Sequence, residues 1–186
     1  QQTWLSVSED FRMPNQEKMP YEIYYELEKE ENESPLEFAI RNGWELPIYQ
    51  MFCIDYLAAN RDRHGGNLEV IWNKEDDSVQ IAPLFDQGVS LLFSTYGKEQ
   101  LLEKADVMKD FPVNNYIGAK SLERNLLFIP QNYNLKINPL KKEDREYIFD
   151  HIEEVLSEKH INKLWEMIWK RWSHFEQIRN KKNKWE

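Results

Sequence analysis

The chain has 186 residues, 41% hydrophobic and 31% charged, with seven Trp, nine Tyr and nine Phe; this is enough for one domain with a real core and far too aromatic for a disordered, solvating polymer. A formal charge of −9 at pH 7 argues against general nucleic-acid binding, which depends on Lys and Arg neutralising phosphates. No run reaches the roughly 18 apolar residues of a membrane span, and no basic start followed by an apolar run marks the chain for secretion, so no membrane partner and a cytoplasmic location are expected.

Taken in chain order, the sequence opens on Gln1 and then Thr3-Trp4-Leu5-Ser6-Val7-Ser8, a strand-like alternation without a partner strand nearby in sequence. The expectation is a chain that begins in mid-fold. A Tyr- and Glu-rich helix follows over residues 20–32. Ser34-Pro35 then restarts a short helix, with Ser34 as N-cap, Pro35 at the first helical position and Gly43 as its close. Residues 45–60 are apolar on nearly every side, which describes a surrounded central helix; Cys53 lies within it, and as the chain's single cysteine it reads as a buried thiol.

Next come the polar run Asn60-Arg61-Asp62-Arg63-His64-Gly65-Gly66-Asn67, a strand over 68–72, a turn over 73–77 and a strand over 79–84. Residues 89–120 read as irregular around a short helix at 98–104, and 121–128 as another short helix. Two stronger helices follow, one aligning Ile148, Ile152, Val155 and Leu156, the other Ile161, Leu164, Trp165, Ile168, Trp172 and Phe175. The expected class is therefore mainly α with a small β-hairpin, an α+β arrangement. Charge is uneven along it: residues 1–50 carry 11 acidic and 4 basic side chains, residues 159–186 carry 8 basic and 3 acidic. The basic end is the candidate surface for an anionic partner, such as the acidic half of another copy.

Chemistry concentrates in the polar run and in Leu84-Phe85-Asp86-Gln87-Gly88 after the hairpin. Phosphoryl transfer to a hydroxyl needs a carboxylate that orients the attacking group and accepts its proton, and hard oxygen ligands that hold Mg²⁺ against nucleotide phosphates. Asp62 and Asn67 stand five residues apart, the separation of base and metal-binding Asn in protein-kinase catalytic loops. The hairpin can fold Asp86 back beside them as a second metal ligand. Arg63 and His64 either pack the loop or touch a phosphate, and a hydrogen-bonded structural role for His64 stands beside that reading. Asp106, Asp110, Asn114 and Asn115 are either surface and turn residues or the lining of a substrate groove.

IDYLAANRDRHGGNLEVI followed by QIAPLFDQGVSLL resembles the catalytic core of the HipA-like serine/threonine kinases, a family distantly similar to phosphatidylinositol kinases; the match covers residues 48–92. The resemblance implies that Asp62 is the catalytic base, that Asn67 and Asp86 bind Mg²⁺, and that Ser8, Glu9, Asp10 and Phe11 form the hinge beside the adenine of ATP. It implies a protein-kinase-like C-terminal lobe over residues 13–186, with a catalytic loop at 60–67 and a metal-binding hairpin at 68–88. Residues 1–12 would then be a hinge-like strand ending an N-terminal lobe largely absent from this chain. A Gly-rich phosphate-covering loop and a strand-borne Lys upstream are not found in the sequence, so the chain is expected to be the C-terminal lobe of a larger kinase.

The expected activity is ATP- and Mg²⁺-dependent transfer to a Ser or Thr hydroxyl of a protein substrate. The family resemblance also raises a toxin–antitoxin role with an antitoxin-like or self partner. A catalytically silent kinase-like interaction module, a lipid or small-molecule kinase, and metal-dependent phosphodiester hydrolysis stand as alternatives.

Overall fold

The structure is a computed structural model that describes residues 10–181. The strand-like stretch at residues 3–8 and the hinge positions Ser8 and Glu9 lie outside the described residues. Gln16–Pro20 forms strand β1, followed directly by helices α1 (Tyr21–Glu28), α2 (Pro35–Arg41) and α3 (Glu45–Ala58). Local chemistry explains the start of α2: Ser34 Oγ accepts the Glu37 amide at 3.3 Å, the Glu37 carboxylate accepts the Ser34 amide at 2.8 Å, and Pro35 fills the first helical position. Helix α1 buries Tyr21 and Tyr25, one turn apart, and the Tyr21 ring meets Phe38 and Trp44 edge-on at 6.0 and 6.2 Å. Such pairs add to the burial itself by about 0.5–1.5 kcal/mol each.

Helix α3 is buried over most of its surface, but Ile54 is 45% exposed, so the helix is not surrounded on every side as its composition predicts. Ile48, Met51 and Phe52 are completely buried, each stabilising the fold by about 1.5–3 kcal/mol, and the helix packs on elements from the far end of the chain. Beyond it come the two-residue strand β2 (Asp62–Arg63), a single 3₁₀ turn at Gly65–Asn67, and the hairpin of β3 (Glu69–Asn73) and β4 (Ser78–Ile81). The hairpin is not alone. Strand β1 pairs antiparallel with β3, Gln16 opposite Asn73 through Pro20 opposite Glu69, making a three-stranded sheet of order β1-β3-β4. The expected lone hairpin is thereby corrected, and Pro20 terminates β1 where α1 begins.

The second half holds α4 (Glu99–Glu103), the two-residue strand β5 (Asn114–Asn115), α5 (Leu122–Leu127), α6 (Asp144–Ile148) and α7 (Glu158–Lys181). Ser121 caps α5 by accepting the Arg124 amide at 3.1 Å. The expected helix through Ile148, Ile152, Val155 and Leu156 is broken: α6 stops at Ile148, His151 takes a left-handed conformation (φ 60°), and only a 3₁₀ turn at Ile152–Glu154 follows. A left-handed residue cannot continue a right-handed helix. Val155 is left exposed, while Ile152 and Leu156 rest on a small cluster of Phe149, Ile161 and Leu164.

Helix α7 sends Trp172 and Phe175 into the main core beside α3, Leu122 and Leu126. The architecture among the described residues is mixed α/β, with seven α-helices, a three-stranded antiparallel sheet and a two-stranded parallel pair. None of these helices is long and apolar enough to cross a membrane.

Candidate active site

The loop after α3 is set by how that helix ends. Ala59 adopts the left-handed conformation (φ 51°), and the Asn60 amide donates to Asp55 O at 2.8 Å. A non-glycine residue here is held against its preference by its surroundings. The Asn60 side chain then donates to Asp55 Oδ1 at 3.0 Å and accepts the Asp62 amide at 3.2 Å, so the chain leaves the helix in one direction. Strand β2 next runs parallel to β5: the Asn114 amide donates to Arg61 O at 2.9 Å and the Tyr116 amide to Arg63 O at 3.0 Å.

Arg63 is the centre of this arrangement. Only 2% exposed, it donates from Nε and Nη2 to the Asp55 carboxylate at 3.1 and 2.8 Å, and from Nη1 to Asn67 O and Phe85 O, both at 2.9 Å. One planar guanidinium thus joins α3, the end of the loop and the segment that delivers Asp86. Two further backbone bonds fasten that segment: Arg61 N to Val89 O at 3.3 Å and Leu91 N to Ala58 O at 2.8 Å. Of the two roles open to Arg63 from sequence, the structure assigns it packing of the loop.

Asp62 is half-buried, and its Oδ1 accepts from Asn114 Nδ2 at 3.1 Å. Asn67 is buried, and its Nδ2 donates to the backbone oxygen of Asp62 at 3.0 Å. That bond leaves Asn67 Oδ1 without a protein donor among the described residues. Asp86 is exposed, sits in the left-handed region (φ 50°), and receives a single bond, from the Gly88 amide at 3.3 Å. Asn67 Oδ1 and the Asp86 carboxylate are thus lightly engaged hard oxygens, the donor type that Mg²⁺ takes beside waters and phosphate oxygens.

His64 Nδ1 accepts the Gly66 amide at 3.1 Å, which is the structural role. Gly65 allows a close approach: a Cβ there would stand 2.3 Å from Glu22 Oε2 and 2.6 Å from Glu22 Cβ. Helix α1 therefore presses directly on the loop, and the Tyr21 amide, donating to Leu68 O at 2.7 Å, fixes the contact.

Of the other positions singled out in the sequence, Asn115 stands opposite Arg63 in the β2–β5 pair. Asp10 and Phe11 are exposed and irregular, and hydrogen bonds from Arg12 hold the Asp10 carboxyl down to about 2. Asp110 accepts Ser121 Oγ at 2.5 Å and the Leu122 amide at 3.1 Å, a cap for α5. Asn115 Oδ1 accepts the Ile117 and Gly118 amides, a turn role. Trp172, in the basic last segment, faces the core. Cys53 is buried, and burial pushes its thiol up to about 12.

Two members of the site escape a reading of motifs. Asp55 holds Arg63, and its signal is a carboxylate within an otherwise apolar helix face, which demands a cation. Asn114, singled out in the sequence only as a surface or groove residue, holds Asp62 from 52 positions away, and nothing local marks that contact.

No protein-family model and no curated protein matches this sequence. Among solved structures the chain is similar to the crystal structure of a Helicobacter pylori proinflammatory kinase, CtkA, with a TM-score of 0.64 and 21% identity over 93% of this chain and 73% of that one. At this identity the likeness shows the fold, and the fold is kinase-like.

Proposed function

We propose that this chain is the catalytic lobe of an ATP- and Mg²⁺-dependent, HipA-like kinase acting on a Ser or Thr hydroxyl of a protein. The carrying observation is the bonded set of Asp62, Asn67 and Arg63, in which one buried guanidinium holds both the loop and the segment bearing Asp86. The likeness in fold to a bacterial kinase supports the same reading.

When bound, ATP with Mg²⁺ supplies the γ-phosphoryl group and the cation that neutralises its charge. Asp62 orients the acceptor hydroxyl and takes its proton on the carboxylate, and Asn114, bonded to Oδ1, leaves Oδ2 to face the acceptor. Asn67 Oδ1 and the Asp86 carboxylate are the residues that would hold the metal. Arg63 acts at a distance, keeping the two ligand-bearing segments in one frame, because catalysis of this kind is mostly positioning. In this reading the lobe begins near residue 13.

The test is phosphotransfer from labelled ATP by the full-length protein and its Asp62→Ala variant. Loss of transfer with nucleotide binding retained is the expected result. Transfer at the wild-type rate by Asp62→Ala would overturn the assignment of the base.

A further inference from the structure

Beside the loop, on the side of residues 92–95 and 104–111, lies a cavity of about 300 Å³ whose lining includes Arg61, Lys104, Lys109 and Arg171. Asp106 is the one carboxylate among its lining residues, and it is engaged in its own turn, accepting the Met108 amide at 3.0 Å. Four cations against one carboxylate leave a surplus of positive charge in a concave, partly desolvated space, where fields are stronger than on an open surface.

Two of the cations are held in unusual ways. Arg171 is 2% exposed, yet it has no ion pair among the described residues; it donates to three carbonyls, Val107 O at 2.8 Å and Tyr56 O and Lys109 O at 3.0 Å. Burial lowers its affinity for the proton, although the more distant carboxylates of Asp110, Asp106 and Glu123 act in the opposite direction. The Arg61 guanidinium is also without a carboxylate among the described residues; it lies over the rings of Phe93 and Phe111 at 4.8 and 5.0 Å. Lys109 Nζ stands 4.7 Å from the same Phe111 ring. Stacking on two aromatic faces fixes the plane of the Arg61 fork while leaving its N–H groups to bind an anion.

The cavity adjoins the base. Arg61 immediately precedes Asp62, its carbonyl accepts the Asn114 amide, and Asn114 in turn holds the Asp62 carboxylate. We propose that this cavity binds an anionic side chain, a carboxylate or a phosphate, of the acceptor protein, and so selects which hydroxyl is presented to Asp62. That the ligand belongs to an acceptor rests on the kinase reading above; the anion preference of the cavity does not. Its modest volume suits one side chain with its neighbours rather than a nucleotide.

The experiment is fluorescence anisotropy on this chain without ATP. The probes are a labelled peptide with one Ser flanked by Glu, the same peptide with Gln for Glu, and the same with phosphoserine for one Glu. Unlabelled inorganic phosphate serves as competitor. The Glu or phosphoserine peptide is expected to bind about tenfold or more tightly than the Gln peptide at low salt, with the preference shrinking as salt rises. Whichever of the two binds better identifies the anion.

Lys104→Glu/Lys109→Glu changes two exposed side chains and is expected to erase the preference, and Arg61→Gln to weaken it. Equal binding of the Glu, phosphoserine and Gln peptides, or an unchanged preference in the double variant, overturns the proposal. So does competition by inorganic phosphate as strong as that by the phosphopeptide, which would mean a free-anion site. ATP–Mg²⁺ binding followed in parallel separates the two claims: charge-selective peptide binding without a nucleotide response leaves the cavity an anion site and removes the kinase reading, whereas a nucleotide response without selectivity removes the cavity proposal alone.

Discussion

Replacing Arg63 with Met tests the tie at the centre of the site. The substitution removes four hydrogen bonds, two to Asp55 and one each to Asn67 O and Phe85 O, and leaves the Asp55 carboxylate, 1% exposed, with the Asn60 amide as its side-chain donor. Breaking a buried pair by removing one partner costs about 3–5 kcal/mol, because a charge stays behind in the core. In a chain of this length each kcal/mol moves the melting temperature by about 2–4 °C, so Arg63→Met is expected to lower it by about 6–20 °C.

The double variant Asp55→Leu/Arg63→Met removes both charges and is expected to recover most of that loss, since buried pairs often break even against apolar replacements. It does not restore the bonds to Asn67 and Phe85. Nucleotide-dependent stabilisation is therefore expected to stay impaired in the double variant, which separates stability from positioning. Calorimetry or circular dichroism of wild type, both single variants and the double gives the coupling energy. A loss in Arg63→Met within about 2 °C, the size of a surface pair, or a double variant no more stable than the singles, would refute this reasoning.

Three further outcomes follow from the same geometry. Asn114→Ala frees the Asp62 carboxylate from its side-chain donor and is expected to lower kcat on the order of 10–100-fold with little change in ATP binding; steady-state kinetics with separate nucleotide titration checks it. Gly65→Ala forces a methyl group against Glu22 Cβ and Oε2, and urea unfolding is expected to show a loss of about 1–3 kcal/mol from overpacking. For Cys53, a thiol pushed up to about 12 by burial is neutral at pH 8, with roughly one part in 10⁴ as thiolate. Alkylation is expected to be very slow there and to keep accelerating above pH 9, and a rate that levels off near pH 9 would contradict the burial argument.

Much of this site was legible because its chemistry is local. Asp62 and Asn67 are linked by spacing, and the hairpin that returns Asp86 begins and ends within the same motif. The start of α2 was legible for the same reason, since Ser34, Pro35 and Glu37 satisfy one another within a single turn. What escaped was non-local or held against preference. Strand β1 has the sequence QEKMP, polar and ending in Pro, and it becomes a strand only by pairing with β3 more than fifty residues later; propensity alone does not reveal this. The break between α6 and α7 turns on His151 in a left-handed conformation, while the apolar spacing of Ile148, Ile152 and Leu156 imitates a continuous helix. Asn114 reaches Asp62 only because a two-residue parallel pair brings β5 beside β2, a contact too short to leave any periodicity in the chain.

The most direct test of the central claim is the thermal stability of the protein with ATP plus Mg²⁺, with ATP alone, and with Asp86→Ala under both conditions. A ligand that binds only the folded state raises stability by about 2.7 kcal/mol at a hundred times its Kd. The expected result is a rise that depends on the metal and is lost in Asp86→Ala. An equal rise without Mg²⁺, or one that survives Asp86→Ala intact, would contradict the assignment of Asp86 and Asn67 as the metal-holding pair of a kinase site.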